Sequence, residues 1–215
     1  MKKIIASVLA ASLMLLGTQV NAQVVPGAGY LRTTETVSNS SNATAYNGFY
    51  VGASFNIPIV GVLGIAPGFY ANMLFANENN AGGSSILNAT STFHHTEIAL
   101  NVPVNLTLKF KVGDSAAIFA YGGADFQYSV YSRSTYSVTA SVVGINLSDN
   151  GAYDHLDAKQ GNQNPFNIFV GGGAGFQIGD LQLVVGYDYG LMDCDRSDNT
   201  KTTRSQLKVG LNFSL

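Results

Sequence analysis

The sequence predicts an all-β protein, an eight-stranded antiparallel barrel that spans a membrane with its apolar side chains on the outside. The first observation is the segment TEIALNVPVNLTLKFK, residues 96–111, in which every second residue from Ile98 to Phe110 is apolar. Unbroken alternation over that length indicates a strand about twice as long as those of soluble proteins. The second observation is that the same alternation recurs along the chain. The third is that the connections between these segments alternate between short turns and long polar loops.

The first 22 residues have the pattern of a secretory signal peptide. Lys2 and Lys3 precede an apolar run, and small residues lead to a predicted cleavage site after Ala22. The run is shorter than the roughly 20 residues of a membrane-spanning helix, although an uncleaved anchor is the alternative. We expect an exported chain in which residues 1–22 are the signal peptide and residues 23–215 form one barrel domain.

Composition argues against several classes of protein. Charged residues make up 11% of the chain, well below the quarter or so typical of soluble domains. The formal net charge of −2 gives no basic surface for nucleic acid. The single cysteine, Cys194, excludes an intrachain disulfide. The most apolar later segment, residues 57–76, contains Pro58 and Pro67, which argue against a membrane helix.

Strands are predicted where apolar residues recur at every second position, and turns where Gly, Pro and Asp interrupt them. The predicted strands cover residues 27–36, 49–57, 63–75, 96–111, 117–131, 166–178, 181–191 and 206–215. Short turns are predicted at 58–61, 113–115 and 179–180, and polar loops at 77–90, 132–164 and 193–203. The first strand alternates poorly, and the turn at 179–180 is the clearest hairpin signal.

The residues between the apolar positions decide which way the strands face. They are mainly Gly, Asn, Gln, Asp and Lys, which suit a small wet interior, so the apolar faces point outward onto lipid. Backbone groups in hydrocarbon must be hydrogen-bonded within the protein, so such strands span a bilayer only as a closed cylinder. Barrels of this type have short periplasmic turns and long extracellular loops, so we expect the loop 132–164 on the cell surface.

Four segments in order resemble a known family. They are TEIALNVPVNLTLKFKVGD, AYGGADFQY, FVGGGAGFQIGDLQLVVGYDYGL and the terminal LKVGLNFSL. Together they resemble the small outer-membrane β-barrel domain proteins of Bacteroidetes-type bacteria, similar to the OmpA and OmpX barrels and to the PorT-like group. The resemblance covers about residues 23–215. It implies a location in the bacterial outer membrane, with outer-membrane lipid and the barrel assembly machinery as partners. Such chains often end in an aromatic residue, whereas this one ends in Leu215.

Two neighbouring polar residues could carry chemistry. His95 and Glu97 are predicted to point inward near the loop end of a strand, as a general base and its orienting carboxylate would. No nucleophile is recognisable beside them, and the family resemblance names no catalytic set. We therefore interpret them as a polar rim, with no catalytic residues.

Acidic residues in the loops could ligate calcium through their oxygen atoms. These residues are Asp154 and Asp157, with His155, in one loop and Asp193, Asp195 and Asp198 in another. Arg196 interrupts the second group, and Arg204 stands where a bidentate Glu would be needed. We therefore expect solvated loop charges, with no metal and no cofactor.

Several charged residues are predicted to point into the barrel. They are Glu97, Lys109, Lys111, Asp125, Asp188 and Lys208, with Arg32 as a further candidate. An eight-stranded barrel is just wide enough to be filled by its own side chains, and unpaired buried ions are costly. We expect these charges to pair and to form a structural network that plugs the lumen.

These observations predict a class of function. We expect a non-enzymatic outer-membrane barrel with a structural role, or with a role in adhesion or interaction through its long loops with an extracellular or envelope partner. A narrow pore or transporter for a small or apolar solute is the alternative. A barrel enzyme acting on lipid is a third possibility.

Overall fold

A computed structural model describes residues 22–38, 43–84, 87–142, 145–157, 159–196 and 201–215. Apart from Ala22, the predicted signal peptide lies outside these residues. Within them, no helix is long and apolar enough to cross a membrane.

The described chain is built almost entirely of antiparallel strands. They are β1 Gln23–Val37, β2 Ala43–Val60, β3 Leu63–Ser84, β4 Leu87–Val112, β5 Ala116–Val142, β6 Ile145–Asp154, β7 Phe166–Ile178, β8 Leu181–Gly190 and β9 Thr202–Phe213. Eight of them close into a barrel, because β1 pairs with β9 as well as β2, and β5 pairs with β4 as well as β7. The predicted eight-stranded barrel is thus confirmed. The ninth strand, β6, pairs with the far part of β5 and lies outside the barrel.

Tight turns gather at one end of the barrel. Gly61, Gly113 and Gly179 occupy these turns with φ of 58°, 73° and 54°, a backbone conformation that favours glycine. We call this end the turn end and the opposite one the loop end.

The two faces of each strand differ as the alternation predicts. On β8, Leu183 and Val185 are 50% and 47% exposed on the outside, whereas Gln182 and Val184 are 6% and 7% exposed in the lumen. A barrel surface of this kind needs a lipid environment, because so much contiguous apolar area is unfavourable in water.

Aromatic rings lying on glycines fill much of the lumen. A Cβ at Gly186 or Gly173 would collide with the Tyr121 hydroxyl, and one at Gly210 would collide with the Tyr50 hydroxyl. The glycines of the inward faces therefore make room for these rings.

Two of the predicted loops are wrong, because most of their residues form strands. β3 and β4 continue through the predicted loop 77–90, and β5 and β6 form a hairpin inside the predicted loop 132–164. Outside the membrane both faces of a sheet meet water, so strands there need no apolar alternation. The last strand begins at Thr202 rather than at residue 206, because its first residues are polar on both faces, with Thr202 and Arg204 buried on the inner face and Thr203 and Ser205 on the outer one.

These extensions form a sheet beyond the barrel. It comprises residues 77–84, 87–95, 133–142 and 145–154, and we call it the protruding sheet. The hairpin of residues 133–154 has a length of roughly 30 Å at about 3.3 Å per residue.

Candidate functional site

The charged residues of the lumen form two layers at different heights. In the lower layer, near the middle of the barrel, Lys208 of β9 lies between two carboxylates. Its Nζ is 2.7 Å from Asp125 Oδ2 on β5 and 2.9 Å from Asp188 Oδ2 on β8. Asn101 Nδ2 also donates to Asp125 Oδ2, at 2.9 Å. One ammonium group is thus paired with two carboxylates in a side-chain network that crosses the lumen.

The upper layer, nearer the loop end, is centred on Arg204 of β9. Its Nη1 lies 3.0 Å from each carboxylate oxygen of Glu97, and its Nε donates to Glu35 Oε2 at 2.8 Å. Ser129 Oγ donates to Glu97 Oε1 at 2.6 Å, and Gln163 Nε2 donates to Glu97 Oε2 at 3.2 Å. Glu97 is only 1% exposed, so these donors replace water around a buried carboxylate.

The residues predicted to carry charges in the lumen lie in different places in the structure. Glu97 belongs to the upper layer, and Asp125, Asp188 and Lys208 make up the lower one. Lys109 points inward below them and has no ion pair within the described part of the chain. Lys111 has the parity of Lys109 and is paired in register with Ala117, but its side chain is exposed beside the turn and makes no ion pair with either of these layers.

Sequence reasoning placed one charge wrongly and missed two others. Arg32 is exposed on the outer face rather than inside the lumen, because the poor alternation of β1 obscured its parity. Glu35 and Arg204 were missed because both lie beyond the apolar parts of their strands. The sequence does contain a signal for Arg204, because it lies two and four residues before Gln206 and Lys208 and therefore shares their inward face.

Two loop segments lie together over the upper layer. They are residues 155–165, of which Ala158 is outside the described part, and residues 191–196, and we call them the cap. Asn164 N–H donates to the carbonyl oxygen of Cys194 at 2.8 Å, and Asn167 Nδ2 donates to Cys194 Sγ at 3.3 Å. Gln163 forms an isolated bridge with Asp195 and accepts a hydrogen bond from Ser132 Oγ at 2.5 Å. Since Gln163 also contacts Glu97, the cap is fastened to the upper layer.

Cys194 is buried beneath the hydrogen bonds of the cap. Burial raises the pKa of its thiol to about 11. The thiol therefore stays protonated and poorly nucleophilic at neutral pH.

A serine and two histidines meet beside Glu97. Ser134 Oγ lies 2.9 Å from His95 Nδ1 and 2.6 Å from His155 Nε2, and His95 Nε2 lies 3.8 Å from Glu97 Oε2. The order serine, histidine, carboxylate is that of a hydrolase triad. However, Ser134 is completely buried, and its hydroxyl is shared with the second histidine. A substrate carbonyl therefore has no approach to this oxygen.

The loop acids form local turns. Asp193 Oδ1 accepts the backbone N–H groups of Asp195 and Thr202 at 3.0 and 2.9 Å, and Asp157 Oδ1 accepts that of Lys159 at 3.0 Å. Asp198 lies outside the described residues. Among the residues that are described, no group of three or more His, Cys, Asp or Glu could hold a metal ion.

A cavity of about 140 Å³ lies between the lower layer and the turn end. Its polar lining includes Asn72, Asn105, Thr107, Lys109 and Asn212. The lower half of the lumen therefore contains a polar cavity between its side chains, whereas Glu97, Arg204 and Gln163 pack together in the upper half.

A closed barrel with an apolar exterior and a layered polar lumen defines a transmembrane protein of the bacterial outer membrane. The profile of the outer membrane protein beta-barrel domain family matches residues 17–196. The chain belongs to this family and is located in the outer membrane.

Several solved structures are similar to this chain at low sequence identity. Ail, the attachment invasion locus protein of Yersinia pestis, has 12% identity and a TM-score of 0.36, over 89% of this chain and 99% of Ail. Neisserial surface protein A has 14% identity and a TM-score of 0.40, over 89% of this chain and 97% of its own. The N-terminal barrel of Pseudomonas aeruginosa OprF has 8% identity and a TM-score of 0.28, over 87% and 97%. No curated protein gave a significant match.

Proposed function

We propose that this protein is a non-enzymatic outer-membrane barrel that binds an extracellular or envelope partner through its protruding sheet. The observation that carries this proposal is the continuation of β3, β4 and β5 beyond the barrel, where β6 joins them, above a lumen closed by paired charges and a cap. Because long connections of such barrels face outward, we infer that the loop end, and with it the protruding sheet, lies on the cell surface.

The exposed edge of the protruding sheet supports a role in binding. In the described chain β6 pairs with β5 alone, so its other edge presents backbone N–H and C=O groups that a partner strand could use. Val138 and Leu147 are 37% and 61% exposed on the same face of the hairpin. Backbone pairing would supply affinity, and these side chains would supply specificity.

The experiment shortens the protruding sheet and leaves the barrel intact. Ser137 and Asn150 are directly paired, as are Glu78 and Phe93. Replacing 138–149 and 79–92 each with Asn-Gly therefore joins paired positions by two-residue turns. We expect the variant to keep a compact band on an unboiled gel, while cells carrying it lose adhesion to surfaces coated with extracellular-matrix extract or heparin.

Equal adhesion of the shortened and full-length proteins would contradict the proposal. The matched control is Leu147→Ser, which keeps the strand and removes one apolar contact. We expect it to weaken adhesion without abolishing it.

The cavity favours a narrow pore as the second candidate. A solute entering from the turn end would reach Lys208 without displacing the cap, but it would then meet Arg204, Glu97 and Gln163. Single-channel recording in planar bilayers separates the candidates: steady conductance at neutral pH that survives shortening of the sheet would support the pore. The enzyme alternative is tested by His95→Ala, which would abolish a lipid-hydrolysing activity if one existed.

A further inference from the structure

One serine hydroxyl joins an imidazole ring of the cap to an imidazole ring of the barrel, beside the contacts that Gln163 of the cap makes with Ser132 and Glu97. His155 belongs to the cap, and its Nε2 lies 2.6 Å from Ser134 Oγ. His95 belongs to β4, and its Nδ1 lies 2.9 Å from the same oxygen. The ring centroids are 4.9 Å apart. His155 also contacts the ring of Tyr153 at 4.7 Å, and His95 that of Tyr46 at 5.1 Å.

The hydroxyl of Ser134 limits how many protons the pair can hold. With both rings neutral, Ser134 accepts an N–H from one ring and donates its own proton to the bare nitrogen of the other. A single added proton leaves this arrangement possible. When both rings are charged, each nitrogen is a donor, and the hydroxyl proton has no acceptor. Because Ser134 is completely buried, water cannot replace the lost partner.

The charges around the two histidines also limit the pair to one added proton. The groups that face the pair are Glu35 of β1, Tyr46 of β2, Glu97 of β4, Tyr153 of β6 and Arg204 of β9. Two carboxylates and one guanidinium give −2 + 1 = −1. One proton brings the site to zero, and a carboxylate oxygen, Glu97 Oε2, lies 3.8 Å from the ring of His95. A second proton gives +1 in a buried site, beside Arg204.

We propose that a second proton on the His95–His155 pair releases the cap, so that mild acid opens the loop end of the barrel. The sign follows from linkage. Burial first, and His95 next, lower the pKa of His155 below its usual value, so the closed cap binds fewer protons than the open one. The cap is therefore stable above pH of about 6.5, the ordinary value for histidine, and loses stability as the pH falls below it. One proton shifts the ratio of open to closed caps by up to about tenfold per pH unit.

Cys194 is a native reporter of cap opening. It is the single cysteine of the chain, it is 6% exposed, and its carbonyl oxygen accepts the N–H of Asn164. The purified protein in lipid vesicles is treated with 4,4′-dithiodipyridine, a reagent that reacts with thiols in acid as well as at neutral pH. The rate is measured from pH 8 to pH 4.5 and divided at each pH by that of the urea-unfolded protein. We expect the normalised rate to rise steeply below pH of about 6, while an unboiled gel shows the barrel intact.

Replacing the cap histidine, His155, tests whether the histidine pair causes the acid-dependent rise in the reaction rate. His155→Gln keeps a neutral hydrogen-bonding side chain beside Ser134, so the acid-dependent rise should disappear and the rate at pH 8 should stay within about threefold of the parent. His94→Gln is the matched control. His94 neighbours His95 in sequence but is exposed on the opposite face, where its Nδ1 lies 2.6 Å from Asn77 Oδ1. This variant should keep the rise.

A second variant covers the case in which His155→Gln opens the cap at every pH. His95→Gln leaves one ring, whose proton brings the site only to zero charge, and it removes the second cause of the lowered His155 pKa but not the first, burial. The acid-dependent rise should therefore be smaller than in the parent and begin at a lower pH. A normalised rate that is flat in the parent, or a rise in His95→Gln that equals that of the parent, would overturn the proposal.

Discussion

Lys208 is the most informative position in the lumen, because it is the single cation between two acids. Lys208→Met leaves Asp125, which is 5% exposed, and Asp188 without their shared partner. Removing one member of a buried ion pair costs about 3–5 kcal/mol. We expect the lower part of that range, since Lys208 borders the cavity and water there screens the two charges.

Asp188→Asn is the matched change, because it leaves the 2.7 Å contact between Lys208 and Asp125 in place. It removes one hydrogen bond to a charged group, which costs about 1.5 kcal/mol. The variant that combines Lys208→Met with Asp125→Asn and Asp188→Asn has no lumen charge in this layer. It should regain most of the stability lost in Lys208→Met, because no carboxylate is left buried alone.

Urea unfolding in lipid vesicles measures these differences, and the temperature at which the unboiled gel band disappears provides an independent check. If Lys208→Met is no less stable than Asp188→Asn, or if the three changes simply add, the lumen is wet enough to screen its charges. The plugged-lumen interpretation would then be refuted in favour of the pore.

Three further predictions concern the outer face, the orientation and the thiol. Val104→Arg should destabilise the barrel by about 2–4 kcal/mol, because Val104 is on the outer face in the middle of the apolar run from Ile98 to Phe110. Asn105→Arg on the lumen face should cost clearly less in the same urea assay, and equal costs would contradict the face assignment. Trypsin added to intact cells should cut at Lys159, exposed in the cap, and spare Lys111, exposed at the turn end; cutting at Lys111, read by mass spectrometry, would mean an inverted orientation. With a pKa of about 11 against an ordinary 9, Cys194 should react with iodoacetamide at pH 8 about 100-fold more slowly than a free thiol, and equal rates would show that the thiol is accessible.

The barrel itself was predictable because the membrane imposes a period of two on its strands. The neighbours Leu183 and Val184 show why the pattern succeeds and where it is weakest. Both are apolar, yet one faces lipid and the other the lumen. Only the continuation of the alternation, from Leu181 to Tyr189, assigns the faces. A single residue therefore says little about which face of the strand it occupies, whereas a long alternating run assigns each of its residues to a face.

The protruding sheet could not be predicted in the same way. In Thr135–Thr139 the sequence TYSVT alternates in size but not consistently in polarity. Both faces of this segment meet solvent, so pairing is specified by backbone hydrogen bonds and β-propensity rather than by burial. Propensity alone does not separate such strands from polar loops.

The candidate site was predictable only where it coincides with apolar strands. Lys208 lies within such a strand, and its inward parity could be read from Leu207 and Val209. Arg204 lies above the apolar part of the same strand, so no outward residue marked its face. The cap contacts of Gln163 and His155 depend on chain folding outside the membrane, which the period of two does not describe.

The arrangement of the two layers decides what the lumen can do. A water-filled path would have to pass both Lys208 and Arg204, which lie four residues apart on the inward face of β9. The lower layer borders a cavity, so small movements of Lys208 could admit water. The upper layer has no such room, because Glu97 is enclosed by Arg204, Ser129 and Gln163. A conducting path through this lumen would therefore require the upper layer and the cap above it to move.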